Sequence, residues 1–217
     1  MDNRSLLDNA LTALDQALKA VITTPSAARP IPQTLANQAE NAPEVCLSEA
    51  ERAHAAGLMR VNHAGEVAAQ ALYHGQSIFA QSSEIKQMLR QAAREEADHL
   101  AWCDQRLREL GSRPSLLGPL WYAGGFIIGA LAAKFGDSVS LGFISETEKQ
   151  VEGHIDSHLK QLPSADARSR TILEEMRRDE IIHGAAARAA GGAELTPAVI
   201  AAMRASSKVM TTASYWL

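Results

Sequence analysis

The chain has 217 residues, a formal net charge of −4 and 5% aromatic residues. This length allows one large domain or two small ones with a substantial core, and the slightly acidic balance gives no electrostatic reason to expect nucleic acid as the partner. The two cysteines, Cys46 and Cys103, are far apart in the sequence, so neither a disulfide framework nor a zinc knuckle is indicated. Frequent Ala and Gln with few β-branched clusters favour an all-α fold.

The first 45 residues are predicted to differ from the rest. Apolar residues repeat every three or four positions, which indicates an amphipathic helix near 4–22, at Leu7, Leu11, Leu14, Leu18 and Val21. Prolines at positions 25, 30, 32 and 43 then predict a linker or strap. No cationic start precedes an unbroken apolar stretch, so we expect no signal peptide and a cytoplasmic location or the cytoplasmic face of a membrane. The main domain is expected over 46–217.

Four long helices are predicted in that domain, over about 48–80, 84–110, 137–161 and 167–190, followed by a short helix from Thr196-Pro197. Ser48 with Glu51 is a capping-box pattern that starts the first helix, and glycines at 111 and 191–192 end the second and fourth. Two successive hairpins of long helices are typical of an antiparallel four-helix bundle.

The segment 114–133, PSLLGPLWYAGGFIIGALAA, has no charged side chain. Its length reaches that of a membrane span, but its prolines and glycines form helix poorly, and Trp121 and Tyr122 prefer a membrane interface to the hydrocarbon centre. We therefore expect a segment that lies in the membrane plane. The alternative is a buried crossover that caps the bundle.

Three Glu-x-x-His pairs occur, at Glu51/His54, Glu96/His99 and Glu180/His183. On a helix this spacing presents a carboxylate and an imidazole on one face. The second pair lies midway along the second helix and the third pair lies in the fourth helix. The first pair is about 22 Å from Glu66 along the same helix, too far to share a site, and is interpreted as capping and surface.

Each partner helix should supply one glutamate at matching depth. Glu66 and Glu96 lie at similar distances from the turn that joins their helices. Counted from the second turn, Glu148 differs in depth from Glu180 by about 3 Å and Glu152 by about 9 Å. Glu148 is the better candidate, and Glu152 is held in reserve.

The resulting set is Glu66, Glu96, His99, Glu148, Glu180 and His183. One Glu from each of two helices and Glu-x-x-His from each of the other two is the ligand pattern of di-iron carboxylate bundles. Four carboxylates can neutralise two divalent ions, and the imidazoles favour iron or manganese over calcium and magnesium.

Other polar residues near this set are assigned outer roles. Asp179 and His154 are candidates for groups that orient ligands, with a surface role as the equal alternative. His63 is a candidate outer group that touches either the site, substrate or solvent. Solvated positions are expected for Glu95, Asp98 and Glu175.

Four strings, RVNHAGEVAAQALYHGQ, EEADHL, GSRPSLLGPLWYAGGFIIGA and RRDEIIHG, resemble the demethoxyubiquinone hydroxylases of ubiquinone biosynthesis over residues 52–217. The resemblance implies a ferritin-like bundle with two iron ions held by the six residues above, Glu96 and Glu180 bridging. It runs without a gap from Pro119 to Glu148, which also favours Glu148 over Glu152, and it places a family histidine at His154. The first 45 residues depart from the shorter members.

What the resemblance implies is a monooxygenase that uses O₂ to hydroxylate the ring of a polyprenylated benzoquinol. It would sit peripherally on the cytoplasmic face of the inner (cell) membrane, with the membrane surface and other ubiquinone-biosynthesis proteins as partners. Without the resemblance, the ligand set also fits a ferritin-like iron-oxidising and storage protein or another di-iron hydroxylase, such as one acting on tRNA. The charge-free segment argues against an iron-storage protein. The acidic balance argues against a hydroxylase that acts on tRNA. A helical scaffold without metal is a third alternative.

Overall fold

The computed structural model describes residues 26–33 and 47–217. Within them the chain forms helices and no strand, so the all-α prediction is confirmed. The helices are α1 (Glu49–Phe79), α2 (Ser83–Glu109), α3 (Gly118–Lys134), α4 (Asp137–Gln161), α5 (Ala167–Ala189) and α6 (Pro197–Trp216). The amphipathic helix predicted near 4–22 lies outside the described residues.

The predicted start and stop signals act at the helix ends. Ser48 caps α1 in a capping box with Glu51, whose carboxylate accepts a hydrogen bond from the Ser48 N–H at 2.9 Å. Gly111 and Gly191 follow α2 and α5 with φ of 69° and 98°, a left-handed backbone that favours glycine. The N–H of the next residue then reaches back to the last turn, as Ser112 does to the Leu107 carbonyl at 2.8 Å.

The bundle consists of two antiparallel hairpins, α1–α2 and α4–α5, joined by the crossover helix α3. Its interior contains two apolar clusters at different depths. One includes Met59, Trp102, Ile155 and Met176, and the other includes Tyr73, Leu89, Ile144 and Ala187. On every bundle helix the residues between these clusters are the predicted carboxylates and histidines, which therefore lie at mid-depth.

The charge-free segment forms α3, which packs along α1 with direct backbone contact. A Cβ added at Gly125 would lie 2.4 Å from the Ala68 carbonyl oxygen, and one at Gly129 would lie 2.2 Å from that of Leu72. The opposite face is exposed, with Leu120 and Ile127 each 58% accessible. The segment is therefore a crossover that is buried on one side only. None of the described helices is both long and apolar enough to span a bilayer.

The last helix is longer than predicted. The sequence indicated a short helix from Thr196-Pro197, but α6 extends over 20 residues. It packs against α1, and Arg60 of α1 donates to the Tyr215 carbonyl near its end at 2.6 Å. Tertiary contact thus supports a Ser- and Thr-rich stretch whose own helix propensity is modest.

Residues 26–33, which we call the strap, lie across α2 and α5. The Ala28 N–H donates to the Asp98 carboxylate at 2.6 Å, and Ile31 packs against the apolar cluster around Trp102. Arg168 of α5 donates to the Pro32 carbonyl at 2.9 Å. The strap is therefore fastened at both ends.

Candidate metal centre

Six side chains from four helices meet at mid-depth in the bundle. The four carboxylates, Glu66, Glu96, Glu148 and Glu180, are each at most 2% exposed, and His99 is fully buried. Their potential ligand atoms form two groups, each within 4.8 Å. The His99 group is Glu66, Glu96, His99 and Glu180, and the His183 group is Glu96, Glu148, Glu180 and His183. Glu96 and Glu180 belong to both.

Each histidine turns Nδ1 toward the carboxylates. In the His99 group this nitrogen lies 3.4 Å from Glu66, 3.3 Å from Glu96 and 3.3 Å from Glu180. In the His183 group it lies 3.3 Å from Glu96 and 3.9 Å from Glu180. The residues that the sequence analysis placed at matching distances from the helix turns therefore lie close together in the structure. Glu152 does not join them, because it pairs with Arg177 at 3.3 Å.

Among the described residues, five buried polar atoms of this cluster have no well-aligned hydrogen-bond partner, although some of them lie within 3.4 Å of a histidine Nδ1. They are Oε2 of Glu66, Oε1 of Glu96, Oε2 of Glu148, Oε1 of Glu180 and Nδ1 of His183. An unsatisfied buried carboxylate is costly, and several together more so. Oxygen and imidazole donors in this number are the set that first-row divalent ions accept. The residues therefore fit a pair of such ions, one in each group.

Burial and crowding shift the proton affinities of the cluster. Burial and the neighbouring Glu96 carboxylate raise the pKa of Glu180 to about 7, and burial also raises the pKa values of Glu66 and Glu148. Although burial lowers the pKa of His183, the neighbouring carboxylates, Glu96 first and then Glu148, outweigh it and raise the value to about 9. Without metal, the fold retains protons at this site.

The metal-free protein is therefore expected to lose stability as the pH rises. For Glu180 the loss begins near the ordinary pKa of 4.5 and is complete above about 7; for His183 it runs from 6.5 to about 9. Both have the same sign, because the folded state binds more protons than the unfolded state. Urea unfolding with chelator at about pH 5, 7 and 9 measures the decline. A metal-free stability that stays level or rises over this range would contradict the assignment, and bound metal should flatten the profile.

Outer contacts fix both imidazoles. Nε2 of His99 donates to Asp179 at 2.9 Å, as proposed for Asp179 from the sequence. Nε2 of His183 donates to Glu95 at 2.7 Å. Asp98 is 3% exposed and binds the strap. The expected solvated position of Asp98 is thus wrong, whereas the side chains of Glu95 and Glu175 remain 33% and 35% exposed, with Glu175 paired to Arg178.

Tyr73 is a residue of the centre that the sequence interpretation missed. Its buried hydroxyl donates to Oε1 of Glu148. Tyr73 follows Glu66 by seven residues, two helical turns, which places both on one face of α1. That spacing was the available signal.

Within the part of the chain that the structure describes, His63, His154 and the Glu51/His54 pair make no hydrogen bond to the six clustered residues. His63 is buried, which lowers its pKa to about 4. His154 lines the cavity described next. In the discounted pair, Glu51 caps α1, and His54 is half-buried with Nδ1 2.7 Å from the Tyr215 hydroxyl, so it is not a free surface group.

A cavity of about 340 Å³ adjoins the cluster between α1, α3, α4 and α6. Of the six clustered side chains, Glu66 alone lines it. Its walls are mainly apolar, and its polar groups include Asn62, Gln150 and His158. Nδ2 of Asn62 lies 3.0 Å from Nδ1 of His158. The cavity connects a carboxylate of the His99 group with the exposed apolar side chains of α3.

Comparison with known proteins agrees with this arrangement. Residues 53–214 match the family model described as ubiquinone biosynthesis protein COQ7. A Ralstonia pickettii protein named 3-demethoxyubiquinol 3-hydroxylase is 57% identical over 97% of this chain and 99% of its own length. Proteins of the same name from Burkholderia thailandensis (54% identical, 98% of this chain, 100% of the relative) and Cupriavidus pinatubonensis (57%, 96% and 99%) are similar. This chain therefore belongs to the ubiquinone biosynthesis protein COQ7 family.

Proposed function

We propose that this protein is a di-iron monooxygenase of ubiquinone biosynthesis that uses O₂ to hydroxylate the ring of a polyprenylated 3-methyl-6-methoxy-1,4-benzoquinol. Family membership and the shared name of the relatives support this activity. The single observation that carries it is the buried group of four carboxylates and two imidazoles that meets an apolar cavity at Glu66. A storage protein would need no such cavity beside its metal ligands.

The six clustered residues would hold two iron ions, with Glu96 and Glu180 shared between the His99 and His183 groups. A spin-paired quinol reacts with O₂ only slowly. Reduced iron, when bound, would supply the electrons that activate O₂. In the overall reaction one oxygen atom enters the ring as a hydroxyl group and the other leaves as water, with two electrons and two protons from a reductant.

The chain itself orients the ligands and excludes water. Asp179 and Glu95 hold the Nε2 atoms, so that each Nδ1 faces the centre. Tyr73 holds one oxygen of Glu148. Apolar clusters lie above and below the centre, and the cavity beside Glu66 offers a route for substrate.

The cavity suits a quinol ring. A volume of about 340 Å³ lies at the lower end of small-molecule sites, as expected if the prenyl tail extends outside it. His158 is on its wall, and burial lowers its pKa to about 4. Nδ1 of the neutral His158 accepts from the Asn62 amide, which leaves the proton on Nε2, and this N–H can donate a hydrogen bond to a ring oxygen.

The exposed apolar face of α3 provides a route from lipid. Leu120 and Ile128 line the cavity and are also 58% and 40% exposed. Ile127 and Leu131 continue this surface along α3, and Trp216 exposes its ring at the end of α6. We propose that this surface rests on the cytoplasmic face of the inner membrane and that the prenyl tail remains in the bilayer.

The test supplies iron-loaded protein with a prenylated demethoxyquinol, a chemical reductant and ¹⁸O₂. We expect a hydroxylated quinol with one labelled oxygen, and its loss after chelation with recovery on adding Fe²⁺. Iron oxidation and mineral formation without hydroxylated product would instead favour the storage alternative. Protein that binds no metal, unaffected by chelator, would favour a scaffold.

A further inference from the structure

The strap reaches the metal centre through one side chain. Nε of Arg29 lies 2.8 Å from Oδ2 of Asp98 on α2, and Nη2 lies 2.7 Å from Oδ2 of Asp179 on α5. The guanidinium also lies over the Trp102 ring, 4.8 Å from its centroid. One guanidinium thus joins two carboxylates from opposite hairpins and stacks on an aromatic ring, a geometry that lysine cannot reproduce.

Arg29 and His99 share an acceptor. Oδ2 of Asp179 accepts from Nη2 of Arg29 at 2.7 Å and from Nε2 of His99 at 2.9 Å. A carboxylate that accepts from Nε2 fixes the ring orientation and leaves Nδ1 as the free donor to a metal. The Trp102 ring under Arg29 also packs beside the His99 ring, with centroids 5.4 Å apart. Two indirect contacts, through Asp179 and Trp102, therefore link Arg29 to the orientation of this imidazole, and Nη2 of Arg29 also lies 3.4 Å from Nε2 of His99.

His183 has no equivalent support among the described residues. Its Nε2 contacts Glu95, whose side chain is 33% exposed. Within the described part of the chain, the partners of the Glu95 carboxylate are Gln91 and His183. The two groups of ligands are alike in composition, but their outer contacts differ.

We propose that Arg29 is a positioning residue for the His99 group and makes the two metal positions unequal, so that the His99 position binds its ion more tightly. This inference rests on the proposed di-iron function. Arg29 precedes the residues that match the family model, which begin at 53. The strap would thus strengthen one metal position of an otherwise complete bundle.

The test is a titration of metal-free, full-length protein with Co²⁺ in the absence of O₂, followed by visible absorption. Wild type should bind two ions in two resolved phases. In Arg29→Gln the tighter phase should weaken by about 10- to 100-fold, the usual effect of losing an outer contact, and the weaker phase should be unchanged. Glu95→Gln should act on the weaker phase instead.

Arg168→Gln is the matched control for detachment of the strap. It removes the contact to the Pro32 carbonyl, at the other end of the strap, and touches neither Asp98 nor Asp179. Its titration should match wild type within about threefold. An equal effect of Arg168→Gln and Arg29→Gln would overturn the positioning role, because strap detachment alone would then explain both.

A double-mutant cycle tests whether Arg29 acts on His99 through Asp179. If Arg29 acts through Asp179, adding Arg29→Gln to Asp179→Asn should weaken the tighter phase by less than about threefold. Fully additive effects, or two ions bound in Arg29→Gln as in wild type, would overturn the proposal. If wild type itself binds no Co²⁺, the proposed di-iron function fails, which is a separate outcome.

Discussion

Glu148→Ala is expected to reduce hydroxylation by more than about 100-fold, since even outer contacts of a metal site are worth 10- to 100-fold. Glu148 is 1% exposed and belongs to the His183 group, so its loss removes a ligand and leaves the Tyr73 hydroxyl without its acceptor. Metal analysis should show fewer than two ions per chain. Product formation and bound iron are measured on the same preparation.

Glu152→Ala is the control for this substitution. Glu152 lies one turn further along α4, but its carboxylate pairs with Arg177 and is 32% exposed. An exposed ion pair contributes at most about 1 kcal/mol, and activity and metal content should stay near wild type. Full activity in Glu148→Ala, or equal losses in both variants, would contradict the assignment of the His183 group.

Gly125→Ala is expected to destabilise the protein by about 1–3 kcal/mol, the usual cost of overpacking. The added Cβ would lie 2.4 Å from the Ala68 carbonyl oxygen, so the backbones of α1 and α3 must separate. Both residues line the cavity, and hydroxylation should fall as well. Denaturant unfolding gives the free-energy change, and product formation with the prenylated quinol gives the second effect.

Gly124→Ala separates crowding from the loss of glycine. Its added Cβ meets nothing within 4 Å, although Gly124 precedes Gly125 in the same helix and also lines the cavity. Alanine is favoured over glycine in a helix by about 0.5–1 kcal/mol, so this variant should be as stable as wild type or slightly more stable. If Gly125→Ala leaves the free energy of unfolding unchanged, the close contact between α1 and α3 does not contribute to stability, and this prediction is wrong.

The sequence was sufficient for features that depend on local signals and helix geometry. Capping by Ser48 and the glycines at 111 and 191 placed the long helices to within one or two residues. The regular helical rise then matched the depths of the glutamates and histidines across each turn. That arithmetic separated Glu148 from Glu152, which lie only one turn apart, and the structure has the same difference.

Features that depend on distant contacts were not predictable. Asp98 and Glu95 look like solvated helix residues, and their roles arise from Arg29 on the strap and His183 on α5. No local pattern indicates where a proline-containing strap will lie. The length of α6 likewise follows from its packing on α1. Gly125 and Gly129 allow the backbones of α3 and α1 to touch, but glycines four residues apart do not by themselves identify the partner helix.

The glycine contacts between α1 and α3 also limit how the cavity can vary among related chains. Glycine is the smallest residue, so the wall at Gly125 cannot be trimmed to accept a bulkier ring. The α4 and α6 residues that line the cavity include Phe143, Met203 and Met210, side chains with volume to lose. Evolution toward a wider ring would therefore trim such larger side chains, and natural or engineered variation in substrate breadth should spare the Gly125 contact.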